Sequence, residues 1–201
     1  MTKAVVTEST QQQSFTRLIV RRSQVQILAA HRFFFRRDGN SNNERILLIE
    51  DTAEIQKPNV LRFEAGREQS EFPVVTIRDL LKATLRHRSD CTVLGEIRGG
   101  EAFDLLQLLI TGHSGTIPTV HGNSALEGIS RFTTCVLQSG IEFSYLAIKR
   151  NIADSLNVVV HIERRPGRRF IAEALNLRGF AVDDDRYEFE SVCQYTTSTP
   201  P

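Results

Sequence analysis

From Glu44 onward, hydrophobic and polar positions come in blocks that predict a succession of strands and helices. RILLIE packs apolar residues together and stops in acid, the pattern of a strand buried on both faces of a parallel sheet. TIRDLLKATLRHR places Ile77, Leu80, Leu81 and Leu85 at helical spacing, and Thr76 with Asp79 suits its cap. CTVLGE reads as a second buried strand. Residues 101–110 put Ala102, Leu105, Leu106, Leu109 and Ile110 on one helical side, and Gly112 ends the helix. GTIPTVH predicts a third strand, with Pro118 withholding one ladder donor. Ser124 and Glu127 have capping-box spacing for a helix through about residue 137, and residues 144–153 predict another. LNVVVHIE, RRPGR and RFIAEALNL read as strand, turn and strand. Residues 183–185 turn the chain into a last strand, YEFESV. Alternation of this kind predicts an α/β fold: a mostly parallel sheet, helices on both faces and an antiparallel C-terminal extension.

Residues 1–43 follow neither period. Short apolar bursts there alternate with arginine pairs, which allows one basic helix over residues 16–35 and otherwise predicts a disordered or non-native segment. The ordered domain is expected over residues 44–195, with a tail at 196–201.

Charge sharpens that division. Residues 1–43 carry seven basic and two acidic residues, whereas the whole chain of 201 residues has a net charge of only +1. That balance gives no strong overall pull toward nucleic acid or anionic lipid. The arginines of residues 16–37 raise nucleic-acid binding as a reading. Phe33, Phe34 and Phe35 form a single run rather than a stacking platform, so such binding is not expected. Cys91, Cys135 and Cys193 form no C-x-x-C pair, which argues for a reducing compartment and against a disulfide framework or zinc site. No apolar run approaches the roughly 18 residues that span a bilayer, and the first residues lack a signal-peptide core. A cytoplasmic location is the expectation.

The chemistry collects behind the predicted strands, where open α/β sheets bind ligands. Glu50 and Asp51 follow RILLI, and Glu96 follows CTVLG. A strand that ends in a carboxylate can hold a metal-bound water or orient an attacking one. A lone acid at a strand end is more often structural. His113, within TGHSG, and His121, after TIPTV, form a third polar cluster. They read as imidazoles near phosphate oxygens or as hydrogen-bonded structural histidines. Without nearby cysteines they make a poor zinc signal.

Taken together, IEDTAEI, LLKATLRHRSDCTVLGEIRGGEA and TGHSGTIPTVHGNS resemble the Asp box, Walker B region and His box of the secretion ATPase superfamily. Its members power type II and type IV secretion, pilus assembly and conjugation, and the conjugal-transfer type is the nearest in flavour. The resemblance covers about residues 44–195. It implies a RecA-like P-loop NTPase domain, a homohexameric ring at the cytoplasmic face of the inner membrane, and ATP hydrolysis with Mg²⁺. By the same resemblance Glu50 is the catalytic acid, Glu96 the Walker B acid near Mg²⁺ with Asp51 beside it, and His113 and His121 the His-box pair. Arg62 is then a charge-sensing nucleotide contact, and Arg98 is expected to salt-bridge a neighbouring acid.

One part is missing. No G-x-x-x-x-G-K-[ST] motif occurs in the 201 residues, nor any Gly-Lys dipeptide. That loop supplies the amide cradle, the lysine and the Mg²⁺-binding hydroxyl. The matched motifs also depart from the family at Ser89, Ile110, Pro118 and Gly122. The expectation is a truncated relative that does not bind ATP by itself. It would act alone or as an interaction module joining a homo-oligomer or full-length ATPase relatives at a secretion or conjugation channel.

Overall fold

The computed structural model describes residues 24–28, 45–53, 55, 60–66, 73–112 and 115–194, with backbone alone for 24–28 and 194. The strands are β1 (Gln24–Leu28), β2 (Ile46–Glu50), β3 (Val60–Glu64), β4 (Cys91–Leu94), β5 (Thr116–Val120), β6 (Val158–Arg165), β7 (Arg168–Ala181) and β8 (Arg186–Gln194). The helices are α1 (Ile77–Thr84), α2 (Glu101–Ile110), α3 (Ala125–Leu137) and α4 (Tyr145–Ser155). The strands form one sheet in the order β3-β2-β4-β5-β1-β6-β7-β8. β3, β2, β4 and β5 run parallel, and β6, β7 and β8 form the antiparallel extension.

The parallel half follows the sequence pattern closely. β2, β4 and β5 are buried along their whole length, as apolar runs in a parallel sheet require. Their register is pinned at the N-terminal edge, where Asp90 accepts the Arg45 N–H at 2.8 Å and the Asp90 N–H donates to Arg45 C=O at 3.0 Å. α1 starts in a full capping box between Thr76 and Asp79. α3 starts with Ser124 accepting the Glu127 N–H, but the Glu127 carboxylate turns to Asn123 instead of back to Ser124. α2 is followed by Gly112 at φ +94°, a left-handed turn that glycine adopts without strain.

The expected basic helix over residues 16–35 is corrected by β1. Residues 24–28 pair antiparallel to β5 on one side and to β6 on the other. QVQIL alternates polar and apolar residues, a two-residue period that suits a strand and defeats a helical face. The rest of residues 1–43 lies outside the described residues, and with it the expectation of disorder; so does the tail. β3 was not evident in the sequence. It is a half-exposed edge strand whose VLRFE pattern lacks a continuous apolar run.

The four helices share one core. Leu81 of α1, Leu105, Leu106 and Leu109 of α2, Ile129, Phe132 and Val136 of α3, and Ile148 and Ile152 of α4 join Ile49, Leu94, Val120, Val159 and Leu175 from the strands. Each such side chain, fully buried, contributes about 1.5–3 kcal/mol of transfer free energy. A second, smaller cluster on the alternate strand positions contains Ile46, Leu48, Cys91, Val93, Ile117, Val160, Ile162 and Ala174. Period-two alternation sends these to the opposite face. The described helices therefore all cover one face of the sheet.

Candidate functional site

Three parallel strands deliver their last residues to one edge. β2 ends in Glu50, β4 leads through Gly95 to Glu96, and β5 leads to His121. Backbone hydrogen bonds tie these ends together: the Gly95 N–H donates to Ile49 C=O at 2.8 Å, and the Ile97 N–H donates to Thr119 C=O at 2.9 Å. The Thr119 hydroxyl also donates to Gly95 C=O. Gly95 suits this closeness, since a Cβ there would stand 3.2 Å from Cγ of Glu50, a tight contact that would require the Glu50 side chain to shift.

Glu50 is 3% exposed. Its Oε1 accepts the Ile55 N–H at 2.9 Å, and its Oε2 faces Nη1 of Arg62 at 3.8 Å. Arg62, on β3, also donates to Ile55 C=O. It thereby clamps the chain leaving β2 as well as shielding the acid.

Glu96 is held from two sides. Its Oε1 lies 2.7 Å from Nε2 of His121, and its Oε2 lies 3.0 Å from Nη2 of Arg98. The other guanidinium nitrogen of Arg98 reaches Asp51 at 2.8 Å. One cation therefore joins the acids of two strands, as expected for Arg98. The loop carrying Arg98 is fixed by Glu101, whose Oε1 accepts the N–H groups of Arg98 and Gly99 at 2.6 and 2.9 Å. Arg78 of α1 donates to Gly100 C=O at 3.0 Å and pairs with Asp104 at 2.6 Å, which anchors the start of α2. Sequence reasoning missed Glu101, Arg78 and Asp104. The one available signal was Glu101, an acid at the first position of α2, where it suits the helix dipole.

Glu50, Asp51, Arg62, Glu96 and His121 thus converge on the strand ends, and His113 lies outside the described residues. Beside His121 a groove of about 420 Å³ runs along α3, lined by Asn123, Glu127, Ser130, Arg131 and Thr134.

Glu50, Asp51 and Glu96 offer carboxylates, the ligand type that a hydrated Mg²⁺ takes one or two of, and among the described residues no three acids or histidines come together as a metal-holding group. The carboxylates repel phosphate, and the nearby cations Arg62 and Arg98 are engaged with Glu50, Asp51 and Glu96.

Comparison with known proteins gives a consistent result. Residues 37–177 match the family described as Type II/IV secretion system protein. The conjugal transfer protein TrbB of Rhizobium radiobacter is 32% identical over 152 residues, covering 76% of this chain and 44% of that protein. The type IV secretion system protein VirB11 of Bartonella quintana is 31% identical over 136 residues, covering 66% of this chain and 38% of that protein. Among solved structures, the VirB11 ATPase of the Brucella suis type IV secretion system, in complex with sulphate, superposes with a TM-score of 0.57 at 30% identity. That match covers 66% of this chain and 41% of the solved one. The chain spans about two fifths of the length of the curated relatives it matches.

Proposed function

The chain belongs to the type II/IV secretion system protein family, and from that premise we propose that it carries the carboxylate and imidazole half of a Mg²⁺–ATP site. The motor it serves powers protein or DNA transfer, and these 201 residues do not grip a triphosphate by themselves. One observation carries the reading: Glu96 is fixed at a strand end between His121 and Arg98, next to buried Glu50, in a sequence without a single Gly-Lys dipeptide. An acid held this way is ready to meet a metal and an attacking water. It cannot substitute for the amide cradle and lysine that hold the phosphates.

In this reading Glu50 polarises water, and Glu96 with Asp51 faces Mg²⁺. His113 and His121 touch the phosphate region, and Arg62 reports its charge. The assembly would be a homo-oligomer or a ring shared with full-length relatives, at the cytoplasmic face of the inner membrane.

A second reading, a non-catalytic module that docks into a ring of an intact relative, draws on a different feature. Ile141, Phe143, Tyr145 and Leu146 are each more than two fifths exposed in the connection from α3 into α4. Apolar density of this kind marks contact surfaces. Co-expression of the tagged chain with a relative that has the P-loop tests both. Both readings expect the chain in the ring fraction. In the first, ATPase turnover of mixed rings depends on Glu96 of this chain. In the second it does not. Elution of the chain away from every ring would sink both.

A further inference from the structure

Ala125 opens α3, and its N–H is among the first four of the helix, which have no partner within the helix itself. The residue is fully buried. A buried N–H left unpaired is costly, so this one needs an acceptor from elsewhere in the fold. Oε2 of Glu173, on β7, accepts it at 2.9 Å. The carboxylate also sits at the positive end of the helix dipole, where an anion is favoured.

The sheet register sets where Glu173 stands. Val120, Val25, His161 and Glu173 lie in one row across β5, β1, β6 and β7. Three strand spacings, about 14 Å, therefore separate Glu173 from the strand that delivers His121. A β-bulge aims the side chain. His161 pairs with Glu173 but Ile162 pairs with Ile171, which leaves Ala172 as an extra residue on β7. Unbroken alternation would send Ile171 and Glu173 to the same face. With the bulge, Ile171 packs against the smaller cluster, while Glu173 shares the helix-covered face with Leu175 and Leu177. Bulges re-aim side chains in this way.

Gly122, Asn123 and Ser124 connect His121 to Ala125. They are fastened to the same helix start. The Ser124 hydroxyl accepts the Glu127 N–H at 3.1 Å. The Glu127 carboxylate accepts the Asn123 N–H at 3.1 Å and the Asn123 side-chain amide at 2.9 Å. The start of α3 thereby sets the path of the chain leaving β5, and with it the imidazole whose Nε2 stands 2.7 Å from Glu96.

We infer that Glu173 is a positioning residue for the His121–Glu96 pair, an inference that rests on reading those two as site residues. From the antiparallel extension it holds the start of α3, and through residues 122–124 it holds His121 against Glu96. The extension and the strand-end site are tied together by this one carboxylate, so a displacement of β7 reaches His121.

The test uses the full chain labelled with ¹⁵N and two nuclear magnetic resonance readings. One is hydrogen exchange of the Ala125 amide. The other is the imidazole signal of His121, assigned by its loss in His121→Gln. The change of that signal on Glu96→Gln reports the contact between the two side chains. It is measured in the parent, Glu173→Ala, Glu173→Gln, Glu173→Asp and Glu190→Ala, the last removing an exposed acid of β8. In Glu173→Ala the Ala125 amide should exchange at least about ten-fold faster, the factor that a hydrogen bond to a charged group carries. Glu96→Gln should then no longer move the His121 signal. Glu173→Gln keeps an acceptor oxygen and should retain the response, and Glu190→Ala should match the parent. A purely structural Glu173 would lower the urea midpoint of Glu173→Ala and leave the response of His121 to Glu96→Gln intact, and that result overturns the inference. The same loss in Glu190→Ala, or no response in the parent, overturns it too. Where Glu173→Ala does not fold, Glu173→Asp decides, because it keeps the charge and withdraws the carboxylate by one methylene. A weakened response supports the inference, and a response equal to the parent's overturns it. Neither reading uses nucleotide, so the outcome is separate from whether Glu96 of this chain serves turnover in mixed rings.

Discussion

Nε2 of His121 stands 2.7 Å from Oε1 of Glu96, a contact between residues that follow adjacent parallel strands. The register of β4 on β5, with Leu94 beside Pro118, brings the two residues to within one position of each other. Arg98 completes the arrangement by joining Glu96 to Asp51 across the β2–β4 pair. Each acid of the site is therefore held by side chains of its own neighbourhood, Glu50 by Arg62, Asp51 by Arg98, and Glu96 by Arg98 and His121, and this arrangement has consequences that can be measured.

Arg98→Gln removes the cation between Asp51 and Glu96. Because Arg98 is 65% exposed, the stability change should be no more than about 1 kcal/mol. The variant should gain affinity for Mn²⁺, read by electron paramagnetic resonance, because two acids then face each other without a counter-charge. Glu96→Gln in the same background should abolish the gain. Unchanged metal affinity in Arg98→Gln would show that the guanidinium does not govern this pair.

Phe132 sits wholly buried in the main core beneath α3. Truncation to Ala should cost about 3–5 kcal/mol. Leu137, on the same helix but 46% exposed, should cost within about 0.5 kcal/mol. Urea midpoints of the two variants give the comparison.

Gly100 leads into α2 where a Cβ would stand 2.9 Å from Cα of Ser139 and 3.3 Å from Arg78 Nη2. Gly100→Ala should push the start of α2 away from the end of α3 and lower stability by roughly 1–3 kcal/mol, an overpacking cost. Thermal unfolding measures it. Gly112→Ala has open space but a left-handed φ, so its cost should come from backbone strain alone.

High pH should unfold the protein through the contact between α4 and the β7–β8 turn. Burial pushes the Tyr187 phenol up to about 12 from 10.0. Burial would lower the Lys149 ammonium, but hydrogen bonds with Asp185 and Tyr145 raise it above its usual range. Lys149 reaches Asp185 at 2.7 Å and lies over the rings of Tyr145, Phe180 and Tyr187. Both groups bind protons more tightly when folded. Their stabilisation is complete below pH 10 and is lost as the pH rises toward 12. Melting temperature should fall over that window, and Tyr187→Phe should flatten the fall. A melting temperature constant to pH 12 would contradict the assignment.

Much of this was legible because the parallel half is written in unbroken apolar runs. RILLIE, CTVLGE and TIPTV each state burial on both faces, and the acids or histidine that follow them mark the ligand edge. The position of Glu50, Glu96 and His121 at the strand ends was readable that way. β3 was not found, because an edge strand has no need of a continuous apolar run. β1 was missed for a related reason: QVQIL is short, and the arginines around it suggested a basic helix. Its place between β5 and β6 depends on long-range pairing that local pattern does not encode. Glu101 and Arg78 escaped notice because they work through backbone groups of the loop at residues 98–100.

The central claim concerns the grip on phosphate, and calorimetric titration of ATP with Mg²⁺ into the full chain tests it most directly. The account predicts no saturable heat up to millimolar nucleotide, in the parent and in Glu96→Gln alike. Micromolar binding accompanied by turnover, lost in Glu96→Gln, would contradict it.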